Sequence, residues 1–349
     1  MPPSAPRGLH ARPADSAACR EMIRVGSRSF FLASLLLPDQ IREAAYALYG
    51  FCRLSDDAVD VDGGSLQAVS RLRARLTRIY ASDPSPEPVD RALADAVLRF
   101  GLPRVAMEAL FEGLEWDAQG RRYETLSDVT AYAARVAGSV GAMMAALMGA
   151  RTPELVARAC DMGLAMQLTN IARDVGEDAR AGRRYLPRAW LREAGGDPDA
   201  WLAAPVYRPE IGEVVARLLR HADELYARAD GGVSHLDPAF RPAIRAARRL
   251  YSEIGARLAA KGLDSISRRT VVPTWRKAWL LAGAVLGARE RPPLSAAPPL
   301  PETRFLVEAV ILETASLPAH AAGRPGLERD ISWLVDLFTV LERRGAVRA

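Results

Sequence analysis

Two acidic stripes constrain this chain more than any other feature. In the segment from Tyr49 to Asp60, positions 49, 53, 56 and 60 hold Tyr, Arg, Asp and Asp. In the segment from Gln167 to Asp178, positions 167, 170, 174 and 178 hold Gln, Asn, Asp and Asp. At about 100° per residue each set falls on one helix face, and each ends in two carboxylates one turn apart. An Asp pair at that spacing is ordinarily a solvated face. The flanks argue otherwise here. Ile41, Ala44, Leu48, Phe51 and Val59 surround the first stripe, and Met162, Leu164, Ala165, Leu168 and Ile171 the second. Asp is a poor helix-interior residue and repels its own kind at i,i+4. Two such pairs inside apolar helices are expected to look inward, toward a bound counter-charge. Facing each other across a cavity, they would bind several divalent cations, and hard cations on carboxylates can grip a diphosphate. Asp56, Asp60, Asp174 and Asp178 are the expected ligands, with Asn170 a fifth. Asp57 lies off the first stripe in a supporting position. Glu177 lies off the second, solvated or salt-bridged. Neutralising Asp56 or Asp174 is then expected to abolish turnover and to leave metal-free stability equal or higher, because buried like charges repel.

Beyond the stripes, helix follows helix. Residues 1–15 are rich in Pro, Ala and Arg and are expected to be disordered. Helices are predicted near 16–30, from Pro38-Asp39 to Gly63-Gly64, and over 65–80, 89–100, 103–118, 127–149, 153–178, 209–229, 238–261 and 273–288. Thr270-Val271-Val272 is the one candidate for a short strand. Residues 291–302 are Pro-rich and read as a linker. Near 328–344 an amphipathic helix carries Ile331, Leu334, Val335, Phe338 and Leu341, fit either to dock on the main body or to meet a membrane or partner. The expected division is a disordered 1–15, an all-α domain over 16–290, and a linker with a C-terminal helix over 291–349.

Composition excludes several function classes. Only Lys261 and Lys277 among the 47 basic residues are Lys, and the arginines are dispersed without interleaved aromatics. That argues against nucleic acid as a partner and suits anionic substrates or an anionic membrane surface. Cys19, Cys52 and Cys160 are odd in number and widely spaced, and read as reduced, buried residues. The four histidines do not cluster, so a His-based metal site is not expected. No Gly-rich dinucleotide fingerprint or phosphate loop is present. No apolar N-terminal signal is seen, and the longest apolar runs are too short for transmembrane helices. The expected location is cytoplasmic, with peripheral contact to the membrane left open.

A third stripe, Tyr132, Val136, Ser139 and Met143, lies on the predicted helix 127–149. Gly138, Gly141, Ala142 and Ala145 make that helix thin, either for close helix packing or to leave room for long hydrocarbon chains. Metals at one end and an apolar tunnel below describe a site for an isoprenoid diphosphate.

Several blocks resemble the squalene/phytoene synthase family. They are Ser27 to Pro38, Tyr49 to Asp60, Tyr132 to Gly141, and Gly163 to Asp178 continued by Arg183-Arg184-Tyr185-Leu186-Pro187. Ala247 to Tyr251 and Ser267 to Lys277 are similar to later blocks of its bacterial phytoene-forming members. The likeness covers about residues 20 to 288. It implies an all-α isoprenoid synthase bundle around a central cavity. The implied reaction is head-to-head condensation of two geranylgeranyl diphosphates to phytoene through prephytoene diphosphate, at the entry to carotenoid biosynthesis. It further implies Mg²⁺ or Mn²⁺, several ions, and no requirement for NADPH. Implied partners are the membrane surface for product release and other carotenoid-pathway enzymes. By matching positions it makes Ser27, Ser29, Arg53, Gln167 and Arg269 candidates for holding diphosphate oxygens, beside Tyr49 and Asn170 on the stripes. Arg173, Tyr185 and Tyr251 would complete a closed, dry site. Tyr132 would steady a cation or assist the second ionisation, unless it is a core aromatic with a bonded hydroxyl. The alternative within the family is a dehydrosqualene- or squalene-type synthase acting on farnesyl diphosphate. More distant alternatives are an assembly factor that has kept the fold without the chemistry, and a cyclising terpene synthase.

Overall fold

The computed structural model describes residues 9–61, 66–286 and 292–315, and among these every regular element is helical. The chain runs through α1 (Pro13–Gly26), α2 (Arg28–Ser34), α3 (Asp39–Val61), α4 (Leu66–Tyr80), α5 (Pro88–Phe100) and α6 (Arg104–Ala118). It continues through α7 (Leu126–Ala133), a π turn (Ala134–Gly138), α8 (Ser139–Leu147) and the long α9 (Pro153–Arg180). Two short helices, α10 (Arg188–Glu193) and α11 (Pro198–Ala203), lead to α12 (Pro209–His235) and α13 (Arg241–Ala260). Last come α14 (Thr274–Leu286) and α15 (Pro301–Ala315).

Helix α9 is the axis. It packs against α12, α8, α13 and α15. Thr152 caps its N-terminus by accepting from the Leu155 amide at 3.3 Å, and Pro153 opens its first turn. The crossing with the π turn and α8 is set by glycine. A Cβ on Gly163 would lie 2.2 Å from the Ala137 carbonyl, and one on Gly141 2.2 Å from that of Ala159. These glycines serve close packing, and Gly141, Ala145 and Gly163 also line the apolar cavity, so the thinness expected of this helix both seats it on α9 and leaves room beside it.

The predicted helix 127–149 is interrupted. The π turn inserts extra chain and advances the register behind it. Val140, Met144 and Met148 therefore line the central cavity, while Ser139 and Met143, expected on that face, are fully buried in the core.

Other expectations also change. Disorder through residue 15 does not hold for residues 9–15. The His10 and Ala11 amides donate to the Asp95 carboxylate at 2.7 and 3.0 Å, and buried Asp15 pairs with Arg91 at 2.6 Å. The helix expected over 16–30 ends at Gly26. Ser27 then caps α2, its hydroxyl accepting from the Phe30 amide at 3.4 Å. Residues 270–272 form no strand. The Pro-rich stretch ends at α15, which was not expected and which docks on α9, α6, α7 and α8 through Leu306, Val307 and Val310. The amphipathic segment 328–344 lies outside the described residues.

Candidate active site

Two chambers meet inside the bundle. One is apolar, about 320 Å³, and runs between α3, α8, α9, α12 and α13. The other is polar, about 500 Å³, and lies at the ends of α2, α3 and α9. Phe30, Tyr49, Gln167 and Asn170 line both, so the chambers adjoin there. The polar chamber gathers Ser27, Ser29, Arg53, Asp56, Tyr132, Arg173, Asp174, Asp178, Tyr185, Tyr251 and Arg269. Every site residue predicted from sequence is therefore at this junction except Asp60. Asp60 lies in α3, and its side chain is outside the described residues.

The charges are not equivalent. Asp174 is gripped by two guanidiniums. Arg173 donates Nε–H to it at 2.7 Å and adds a second contact through Nη2, and Arg269 reaches it at 2.8 and 3.2 Å. Burial pushes this carboxyl up, but the two arginines outweigh burial and hold it below the usual carboxylate range. Asp178, one turn on, has Arg183 alone to lower it. Burial and the neighbouring Asp174 charge raise its pKa to about 7. Arg53 lies 2.5 Å from Asp57 and 3.7 Å from Asp56, so Asp57 supports the first stripe by holding its arginine. Glu177 is 3.4 Å from Arg269.

The donor set fits hard cations. Carboxylates from α3 and α9 line one chamber, and the buried Asn170 Oδ1 has no hydrogen-bond partner among the described residues. Asp178 keeps its raised pKa because burial and the Asp174 charge outweigh the nearby Arg183. No three acidic, histidine or cysteine side chains converge on one point among the described residues. Each ion would therefore be completed by water or by substrate oxygens rather than caged by protein.

A sequence model described as squalene/phytoene synthase matches residues 23–276. The chain belongs to the squalene/phytoene synthase family. It is 51% identical over 304 residues to a phytoene synthase of Rhodobacter capsulatus, covering 85% of this chain and 90% of that one. It is 50% identical over 312 residues to a phytoene synthase of Cereibacter sphaeroides, covering 85% and 88%. Among solved structures it is similar to a dehydrosqualene synthase crystallised with a ligand. That match has a TM-score of 0.71 and 30% identity, and covers 78% of this chain and 95% of the other.

Within this family site, sequence reasoning missed Asp117. On α6, it accepts hydrogen bonds from Tyr132 Oη at 2.7 Å and Tyr185 Oη at 2.8 Å. Burial raises its pKa to about 6, partly offset by those two hydroxyls. The Tyr132 and Tyr185 rings stack with centroids 4.9 Å apart, and Tyr123 packs on both. Burial first, then the neighbouring Tyr185 and Asp117, drive the Tyr132 phenol well above its ordinary value. A signal for Asp117 existed. It stands seven residues after buried Leu110, on the same face as Gly113 and Leu114. A carboxylate continuing an apolar stripe is a buried carboxylate. Lys277, from α14, also lines the chamber and was not singled out.

Proposed function

We propose that this chain joins two geranylgeranyl diphosphates head to head, giving phytoene through prephytoene diphosphate. The observation that carries the reading is the junction itself. A polar chamber with arginines and carboxylates opens, across Phe30, Tyr49, Gln167 and Asn170, onto a cavity walled by aliphatic side chains. A prenyl diphosphate has that same division. The relatives of highest identity described above are named for phytoene formation, which favours twenty-carbon substrates over the fifteen-carbon alternative.

Each residue then has a task. Arg53, Arg173 and Arg269, with Ser27, Ser29 and Gln167, would hold diphosphate oxygens. Arg173 and Arg269 already present their guanidiniums at the carboxylate edge of the chamber. Asp56, Asp60, Asp174, Asp178 and Asn170 would hold Mg²⁺ or Mn²⁺. Bound there, the ions would neutralise the diphosphate as it leaves C1. Tyr132 donates its proton to Asp117, which leaves the phenol oxygen electron-rich and fixes the ring. That ring and Tyr185 exclude water and steady an allylic cation. Tyr251, packed on Phe30 at 4.9 Å, closes the opposite wall. The final cation is quenched by losing a proton.

A membrane surface is the second partner in this reading. Beyond Arg276 and Lys277 in its first turn, helix α14 is apolar. Leu280, Leu281 and Ala284 are buried, while Trp275, Trp279 and Leu286 are 67, 61 and 83% exposed along one outer stripe. A helix with apolar residues on both faces needs a second apolar neighbour. From Ser265 to Ala288 the sequence holds Arg268, Arg269, Arg276 and Lys277 and no acidic residue. Tryptophan with cations suits an anionic lipid interface. The location beside the chamber, where Val271, Val272 and Lys277 line the wall, suits the delivery of lipid-soluble substrate. No helix of the described residues is long and apolar enough to cross a membrane.

The test is turnover by the purified chain with each prenyl diphosphate, Mg²⁺, and NADPH present or absent. The reading expects a forty-carbon hydrocarbon with a conjugated triene, visible by ultraviolet absorbance, unchanged by NADPH. A preference for farnesyl diphosphate or a need for reductant would move the chain to the alternative.

A further inference from the structure

The apolar chamber contains one charged side chain among its lining residues, and it stands near the far end. Along α9 the wall runs from Asn170 through Met166 and Met162 to Arg158, about one turn short of the last lining residue on that helix, Leu155. At 1.5 Å per residue that is about 18 Å. The Arg158 side chain is 1% exposed. Its Nε lies 2.9 Å from Asp161 Oδ2, which Arg228 also reaches at 3.0 Å. Its Nη1 donates to the Ser295 carbonyl at 3.2 Å, and Arg228 Nη2 donates to that of Pro298 at 2.9 Å. Nη2 of Arg158 has no hydrogen-bond partner among the described residues.

The carbonyls belong to residues 292–300, a strap beyond the part of the chain that the family model matches. The strap lies directly on α12. A Cβ on Gly231 would be 2.1 Å from the Pro293 carbonyl, and one on Gly232 2.6 Å from Arg158 Cβ. Helix α15 then anchors the strap on α9. The two glycines and the paired arginines thus fix where Arg158 sits.

We propose that Arg158, held by the strap, is the end-stop that limits prenyl chain length in this enzyme. A longer hydrocarbon would have to displace a desolvated guanidinium and leave the fully buried Asp161 with one cation fewer. Shorter chains end among the methionines and never meet it. Arg158 is the specificity residue. Arg228 and Gly231 act through it as positioning residues. The inference rests on the prenyl diphosphate reading above.

The experiment compares the full chain with Arg158→Ala and Gly231→Ala. It measures kcat/KM for twenty- and twenty-five-carbon prenyl diphosphates, the hydrocarbons formed, and Tm. Arg158→Ala is expected to raise the ratio of twenty-five- to twenty-carbon use on the order of tenfold, mainly through KM for the longer substrate. Gly231→Ala, which touches the strap and not the cavity, is expected to move the ratio in the same direction by less. Folded variants with an unchanged ratio overturn the end-stop, including the case in which Tm alone falls. Should Arg158→Ala not fold, Gly231→Ala decides. A wild-type chain that uses no twenty-carbon diphosphate refutes the functional reading instead.

Discussion

Neutralising the two aspartates at the end of α9, one at a time, should move stability in opposite directions. The sequence leads one to expect that neutralising Asp56 or Asp174 leaves metal-free stability equal or higher, and for Asp174 the geometry reverses it. Asp178 is raised from 3.8 to about 7. Three units correspond to about 4 kcal/mol, an upper bound for a partly exposed group, so about 2 kcal/mol is the working figure. A carboxyl raised in the folded state costs nothing below its unfolded pKa. The cost grows between about pH 4 and 7 and is constant above. Asp178→Asn cannot ionise, so without divalent ions it should exceed wild type by about 2 kcal/mol at pH 8, and the gap should shrink toward pH 5. For a chain this size that is a Tm gain of about 3 °C. Asp174 is held low by Arg173 and Arg269, so its contribution is present at neutral pH and lost on acidification. Asp174→Asn removes the charge and replaces one of the two acceptor oxygens by an amide donor that faces the guanidiniums, and should cost about 1–3 kcal/mol. Both variants should lose turnover at least about a hundredfold, and Mg²⁺ should stabilise wild type more than either. Calorimetry in a chelator at pH 5 and pH 8, repeated with Mg²⁺, reads all of this. An Asp178→Asn protein less stable than wild type at pH 8, or an Asp174→Asn protein more stable, would refute the charge assignment.

Tyr132→Ala should slow the second half-reaction more than the first, so that the cyclopropyl diphosphate accumulates relative to phytoene in a product time course; equal slowing of both halves removes its cation role. Asp117→Asn should flatten the fall in activity as pH drops through about 6, because the carboxylate that orients Tyr132 and Tyr185 protonates there; an unchanged pH profile would make the cluster mere packing. Trp275→Ala combined with Trp279→Ala should weaken sedimentation with anionic vesicles on the order of tenfold or more, with Tm unaltered since both rings are exposed. Undiminished binding would place lipid contact elsewhere.

The stripes were legible because helical periodicity turns sequence spacing directly into a shared face. Positions 167, 170, 174 and 178 needed nothing more than 3.6 residues per turn to be placed together. The same arithmetic failed for Ser139 and Met143, since a π turn changes the residue count per turn and carries no compositional mark. Tyr132 escaped that failure by preceding the turn. Asp117 was overlooked because a single carboxylate has no spacing partner, and its role is set by two tyrosines fifteen and sixty-eight residues away. Helix α15 hid behind a proline run that reads as a linker, although Pro301 at a first turn favours a helix start as much as it ends one. Burial of Arg158 was invisible for a similar reason. It depends on a strap 137 residues further along the chain.

The charge count of the polar chamber explains why cations belong to the proposed reaction at all. Its lining holds five basic side chains, Arg28, Arg53, Arg173, Arg269 and Lys277, against Asp56, Asp174 and Asp178. Much of that small excess is already spent inside the protein, since Arg173 and Arg269 pair with Asp174, and Arg53 with Asp57. Two diphosphates carry several negative charges each, far more than the remaining excess neutralises. Divalent ions on the aspartates would release the arginines to the phosphates while satisfying the carboxylates, which turns one internal ion pair into two external ones. In this reading the raised pKa of Asp178 and the lowered pKa of Asp174 would be two halves of one device, a carboxylate only weakly offset by Arg183 and a second one whose arginines a metal ion would free.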